Sequence, residues 1–225
     1  MSDLLAEVDE AMRQERLQKF WDENGTFIIL FVILTIFSTG AFSAYRAWDN
    51  NTKISQTSEL IALQEATNYP SNIIEADLDF RSSIRGIALL SAAGTFMEQE
   101  KPEEALKLYE RLAGDTKIED KFRHLGILMS ARLNIVKDEA PSNEDILASL
   151  EPVINSKSPW KPHAQIEAAI LQADTNPKKS LELLNAVSDT LDLPETLYER
   201  AEKLHHVISG NSPETPVKDS SVKTN

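Results

Sequence analysis

The stretch from Phe27 to Tyr45 carries no charged side chain, and it constrains the fold of this chain more than any other feature. Eleven of its residues are Leu, Ile, Val or Phe, and the uncharged window begins at Asn24. A bilayer core about 30 Å thick needs roughly 20 helical residues. A soluble core helix of this length normally carries a polar stripe, which this stretch does not have. The sequence therefore predicts a transmembrane helix over residues 26–45.

A cleaved signal peptide is the main alternative to an anchor, because Ala41-Phe42-Ser43 has the small residues of a cleavage site. The preceding residues 1–25 contain seven acidic and three basic side chains, and their apolar residues recur at helical spacing. A signal peptide would instead begin with a short basic region. We therefore expect a juxtamembrane helix over residues 1–25 and an anchor that stays uncleaved.

The basic residues beside the span predict its orientation. Arg13, Arg16 and Lys19 precede it, whereas Arg46 and Lys53 follow it. Basic side chains concentrate on the cytoplasmic side of single spans, and acidic ones count for little. This pattern favours a cytoplasmic N-terminus and an exported C-terminal domain.

Composition indicates what the remaining residues, 46–225, can form. They are numerous enough for one domain with a core. The net charge of −13 disfavours nucleic acid as a partner, because no basic stripe offers a surface to phosphates. The helix formers Ala, Leu, Glu and Lys are abundant, and alternating β-branched runs are missing. We predict an all-α fold.

Turn and cap residues divide this region into helices. We predict a membrane-proximal helical region over 46–80, broken at Asn68–Asn72, a repeat domain over 81–210, and a disordered tail over 211–225. Proline, serine and asparagine mark most helix starts. The predicted helices are Ile84–Gln99, Pro102–Ala113 and Ile118–Val136, followed by helices that begin after Ser142, at Pro162, after Asn176 and at Pro194.

Helices of this length joined by short loops suggest stacked hairpins, and the spacing of small and large residues supports a repeat. One set fits the tetratricopeptide pattern W-x2-L-G-x2-Y…A-x3-F, and a second set repeats that spacing 75 residues later. The two sets are Leu89, Ala92, Ala93, Phe96, Ala105 and Tyr109, and Ala164, Ala168, Leu171, Ser180 and Leu184. The intermediate copy, Ile118–Asn155, is degenerate. We predict a degenerate TPR-like (tetratricopeptide-like) helical-hairpin solenoid, with an unrelated helical bundle as the alternative.

The order of these parts resembles that of a known family. The sequence EVDEAMRQERLQKFWDENG at Glu7–Gly25, the single span, the exit Tyr45-Arg46-Ala47-Trp48 and the degenerate repeats are similar to the bacterial inner-membrane YfgM-like proteins, ancillary subunits of the SecYEG translocon. The resemblance implies a single-pass protein of the inner membrane, with the repeat domain in the periplasm. It also implies that the SecYEG translocon, periplasmic chaperones and newly exported polypeptides are partners.

The sequence offers little to support an enzyme, and we predict no catalytic, cofactor-binding or metal-ligating residue. No G-x-S-x-G, nucleotide-binding loop or H-E-x-x-H occurs. Adjacent histidines on a helix diverge by about 100°, so they cannot both face one ion. The candidates that we interpret as packing or surface residues are His124, His163, His205 and His206, and the carboxylates Asp77 and Asp79 near Arg81, and Glu103 and Glu104.

Trp160 allows two interpretations. A tryptophan in a loop before a helix is most often a packing anchor, but in a solenoid it could line a binding groove. Two classes of function are therefore compatible with the sequence. One is a membrane-anchored scaffold that assists protein export, and the alternative is a cell-division or envelope-assembly organiser that uses the same repeats.

Overall fold

The computed structural model describes residues 2–137 and 140–211, and these form helices joined by turns, with no strand among them. The all-α prediction is confirmed. The helices in this part of the chain are α1 Ser2–Glu65, α2 Ser71–Glu75, α3 Ser82–Glu98, α4 Pro102–Gly114, α5 Asp120–Ile135, α6 Asn143–Ile154, α7 Lys161–Gln172, α8 Pro177–Ser188 and α9 Glu195–Asn211. The chain divides into two compact units, Met1–Ser58 and Glu59–Asn225.

The first unit contains α1 up to Ser58, and this part of the helix includes a stretch long and apolar enough to cross a membrane. Its most apolar window has a mean hydropathy of 2.3 and none of that window is buried, unlike the core helix of a soluble protein. The hydroxyls of Thr35 and Thr39 donate to the carbonyls of Phe31 and Thr35, each at 2.8 Å. The span therefore satisfies these polar groups internally, as lipid surroundings require. This helix is consistent with a single-pass anchor.

The second unit is built from helical hairpins, as the repeat pattern predicts. The pairs α3/α4, α5/α6 and α7/α8 each pack as neighbours, α9 packs on α8, and each hairpin contacts the next one along the chain. In addition α3 contacts α5, α5 contacts α7, and α7 contacts α9. We call α3, α5, α7 and α9 the inner row. Within the described residues each hairpin stacks on the next one along the chain, which is the architecture of a solenoid, so this prediction is confirmed.

The small residues of the repeat pattern lie where the two helices of a hairpin meet. Ala93 and Ala105 have no exposed surface, and the same holds for Ser180 in the α7/α8 hairpin. Ser180 Oγ donates to the carbonyl of Ala169 at 2.6 Å, which satisfies its buried hydroxyl. Every other member of the two sets of spaced residues is also buried. The periodicity therefore identified the core of the first and third hairpins.

Cap residues also fix where helices begin. Ser142 accepts from the backbone N–H of Asp145 at 3.1 Å, and Asn176 accepts from that of Lys179 at 3.2 Å. Each bond satisfies a donor that the first helical turn leaves free. Pro102 and Pro177 stand in the first turn of their helices, where a missing N–H costs nothing. The loop before Ser142 includes residues 138–139, which lie outside the described part.

The membrane-proximal region differs from the prediction by one short helix. The helix breaks earlier than predicted, since α1 ends at Glu65 and turns follow as far as Pro70, whereas Ser71 and Asn72 of the predicted break belong to α2. The Arg111 guanidinium donates to the carbonyls of Ile73 and Ile74, each at 2.9 Å, and of Ala76 at 2.6 Å. These carbonyls end α2 and need a partner from outside the helix. Residues 212–225 of the predicted tail lie outside the described part, and the backbone of Asn211 belongs to α9.

Candidate functional site

The structure places the histidines and the candidate carboxylates on several different elements. His124 lies on α5, His163 on α7, and His205 and His206 on α9. Asp77 and Asp79 are exposed between α2 and α3, Glu103 is exposed and Glu104 is half-buried. Among the described side chains, no group of three His, Cys, Asp or Glu residues is placed to hold a metal ion.

Trp160 anchors the loop between α6 and α7. Its indole N–H donates to the backbone carbonyl of Lys121 at 2.7 Å, and the half-buried ring packs against a core formed by α5, α6 and α7. Its ring centroid lies 5.9 Å from that of His163. A buried indole needs such a hydrogen bond, and here the bond ties the loop to the start of α5. Trp160 therefore serves as a packing anchor, the first of the two interpretations.

A buried carboxylate links three helices of the inner row. Glu167 on α7 has a side chain only 8% exposed, and its Oε1 lies 2.9 Å from Arg132 Nη2 on α5 and 3.3 Å from Arg200 Nη2 on α9. Arg132 Nε also donates to this oxygen at 2.9 Å. An unpaired carboxylate at this depth would be strongly destabilising, whereas two guanidiniums compensate it. The cluster has two positive charges and one negative charge, so its net charge is +1.

Sequence reasoning missed this cluster, although one signal was present. Glu167 is the one acidic residue between Lys161 and Gln172, among alanines and isoleucines. An isolated acid on an otherwise apolar helix indicates a buried ion pair. Its partners could not be read from the sequence, since they are 35 and 33 residues away and depend on how the hairpins stack.

His163 lies beside this cluster and responds to it. Burial lowers the pKa of His163, and the nearby positive charges of Arg132 and Arg200 lower it further, against the opposing effect of Glu167. Its Nδ1 is buried and has no hydrogen-bond partner in the described part of the chain. The neutral imidazole is therefore the favoured form in the folded protein.

A cleft opens next to His163, between the loop that joins α6 to α7 and the loop that joins α8 to α9. We call it the loop cleft, and its volume is about 520 Å³. It is lined by Ser156, Lys157, Ser158, Pro159, Lys161, Pro162 and His163 on one side and by Thr190, Leu191, Asp192, Leu193, Pro194 and Leu197 on the other. This volume lies within the range of about 300–1,000 Å³ that ligand pockets have.

The inner row also carries a smaller cleft between α7 and α9. It is lined by Ile170, Thr196, Glu199, Arg200, Lys203 and Leu204 and has a volume of about 400 Å³. This lining combines apolar and charged side chains. Comparisons of the chain with protein-family models, with curated proteins and with solved structures each found no match.

Proposed function

We propose that this protein is a membrane-anchored scaffold that assists protein export by binding other polypeptides through its helical hairpins. The observation that carries the proposal is the pairing of a span-length apolar helix with a stack of hairpins on one chain. Solenoids expose extended surfaces that suit polypeptide ligands. An anchor restricts such a surface to partners at the membrane, where translocation takes place.

The charges of the inner row support binding as the task of this domain. Arg132 and Arg200 hold Glu167 in place while remaining 33% and 42% exposed at their side chains. Partly exposed arginines on a rigid helical row are suited to contact acidic groups of a partner. We propose binding with no turnover, in which partners engage through apolar anchors and charged side chains.

The partners and the sidedness in this proposal come from the resemblance to the YfgM-like proteins. We propose a bacterial inner-membrane location, with the N-terminus in the cytoplasm and the hairpin domain in the periplasm. The SecYEG translocon, periplasmic chaperones and polypeptides emerging from the translocon are the proposed partners. The basic residues Arg13, Arg16 and Lys19 before the span support this orientation.

Crosslinking in native membranes followed by mass spectrometry tests the partners. We expect crosslinks between lysines of the hairpin domain and translocon subunits or chaperones. Crosslinks to division or envelope-assembly proteins alone would favour the alternative function. A chain in which the span is kept and the hairpins are replaced by an unrelated soluble domain serves as the matched control, and it should lose these crosslinks.

A binding assay tests the domain's task directly. We would immobilise the full-length protein in detergent and measure how unfolded exported proteins and the translocon's periplasmic loops bind at low and high salt. The electrostatic part should weaken with salt, since charges are screened beyond about 8 Å at physiological ionic strength. An absence of binding at every salt concentration, together with an absence of translocon crosslinks, would contradict the proposal.

A further inference from the structure

The loop between α8 and α9 holds an apolar side chain out in water at the edge of the loop cleft. Leu191 is 90% exposed, the highest value among the exposed large apolar residues of the described part. The loop is fixed on both sides of it. The backbone N–H of Thr190 donates to the carbonyl of Val187 at 3.0 Å, and Leu193 packs in the core between α7, α8 and α9. The exposure of Leu191 is therefore built into an anchored loop.

The backbone next to Leu191 adopts a turn conformation. Asp192 has a φ of +57°, in the left-handed region, which aspartate enters more readily than most side chains because its short polar group can form local hydrogen bonds. At this position it turns the chain sharply and keeps Leu191 beside the cleft while Leu193 enters the core.

The opposite wall of the loop cleft is basic. Lys157 and Lys161 line it, and neither forms an ion pair within residues 2–137 and 140–211. Asp192 is the one acidic residue in the lining, so two ammonium groups face one carboxylate. In a chain with a net charge of −13, a local excess of positive charge is unusual.

We propose that the loop cleft binds an extended polypeptide segment in which a bulky apolar side chain stands next to a carboxylate. The apolar side chain packs between Leu191 and the prolines of the facing loop, and the carboxylate lies between the ammonium groups of Lys157 and Lys161. This inference rests on the proposed function and deepens it, because it specifies which segments of a bound polypeptide the domain recognises. The charge complementarity and the exposed leucine select this occupant over a basic segment.

Fluorescence anisotropy with the full-length protein in detergent micelles tests the proposal. The probes are fluorescein-labelled peptides with Leu-Phe-Glu-Glu, Leu-Phe-Lys-Lys or Ala-Ala-Glu-Glu in a Gly-Ser background. We expect the first peptide to bind about tenfold more tightly than either of the others, since burial of a large apolar side chain or a charge-assisted contact is worth roughly a factor of ten.

Substitutions in the cleft should affect the apolar contact and the charge contact separately. Leu191→Ser should lower the affinity for the Leu-Phe-Glu-Glu peptide about tenfold, which corresponds to a loss of about 1.4 kcal/mol of binding free energy. Lys157→Glu should reverse the preference for the acidic peptide over the lysine peptide. The control for Leu191→Ser is Val207→Ser, which changes an exposed apolar residue outside the cleft, on α9. The control for Lys157→Glu is Lys107→Glu, which changes an exposed lysine on α4. Both controls should bind as the unchanged protein does.

Each other outcome contradicts the proposal in a distinguishable way. Equal affinities for the peptides, or equal effects of Leu191→Ser and Val207→Ser, would overturn the loop cleft as the site. If unfolded exported proteins still bind the Leu191→Ser variant fully, the scaffold function stands and the cleft is excluded. Sedimentation of the full-length protein tests whether a second copy of the chain occupies the cleft. A dimer that dissociates on Leu191→Ser would show that the leucine serves self-association, and this result would overturn the proposal.

Discussion

At the scale of single residues, Gly126 shows how closely α4 and α5 approach each other. A Cβ atom at this position would lie 2.8 Å from the carbonyl oxygen of Tyr109 and 2.9 Å from the backbone nitrogen of Ala113. Backbone atoms cannot move aside as the end of a side chain can. We therefore expect Gly126→Ala to force the two helices apart and to lower the free energy of unfolding by about 1–3 kcal/mol.

Gly94 on α3 is the matched control, because a Cβ there meets no atom within 4 Å. Gly94→Ala should raise the free energy of unfolding by about 0.5–1 kcal/mol, since alanine is the better helix former. Urea unfolding of a fragment that starts at Glu59 measures both changes in the free energy of unfolding. In this fragment Trp160 is the one tryptophan, so its fluorescence follows the unfolding. A destabilisation of equal size at both glycines would contradict the close approach of α4 and α5.

His163 predicts how the stability of the second unit depends on pH. Its pKa is lowered in the folded state, so the unfolded chain binds the proton more readily. The free energy of unfolding should therefore decrease as the pH falls below the ordinary histidine value of about 6.5. His163→Gln, which cannot titrate, should reduce this loss between about pH 7.5 and about pH 5.5, and His206→Gln, at an exposed histidine on α9, is the matched control. Identical pH profiles for all three proteins would contradict this assignment.

The sequence predicted residues whose role follows from local spacing and missed those whose role depends on stacking. Ala93, Ala105 and Ser180 could be placed in the core because a helix has a fixed period. Arg111 and Glu167 could not, since their partners come from helices that are distant in sequence. The loop cleft was missed for the same reason, because its walls are two loops that α7 and α8 separate in sequence.

At the scale of helices, the repeat pattern places two alanines at the contact between α3 and α4. Neither Ala93 nor Ala105 has any exposed surface, and both belong to one core cluster. Ala105→Phe should overpack this contact and lower the free energy of unfolding by about 1–3 kcal/mol. Lys107→Phe is the control, because Lys107 is exposed on the same helix, whereas Glu104 is half-buried and less suitable. Equal urea midpoints for the two variants would contradict the repeat alignment.

Helix boundaries could be predicted where a side chain caps the helix or a proline starts it. Ser142 and Asn176 act within a few residues of their own position, so the sequence alone contains the information. The short helix α2 carries no such signal, since its N-cap residue Pro70 makes no side-chain cap hydrogen bond. Its last carbonyls instead depend on Arg111, which belongs to α4. Elements that are stabilised from a distance escape local reasoning.

At the scale of the whole molecule, the first prediction is that the apolar part of α1 remains in the mature protein. The acidic residues 1–25 do not have the basic start of a signal peptide. Intact-mass measurement of the membrane-extracted protein should therefore retain the segment before Phe27, apart from the initiator methionine. A mature N-terminus at Ala44 would contradict the anchor.

The last prediction concerns the side of the membrane on which the hairpins lie. Three basic residues lie before the span, and two lie after it. They are Arg13, Arg16 and Lys19, and Arg46 and Lys53. If these charges stay in the cytoplasm, protease added outside spheroplasts should degrade the unit that begins at Glu59 and leave a small protected fragment with the N-terminal segment and the span. Replacing all three residues before the span by Gln should weaken the preference for this orientation, because the two remaining basic residues both follow the span. A fully protected hairpin domain in the unchanged protein would reverse the topology, and a scaffold for exported polypeptides could not act from the cytoplasmic side.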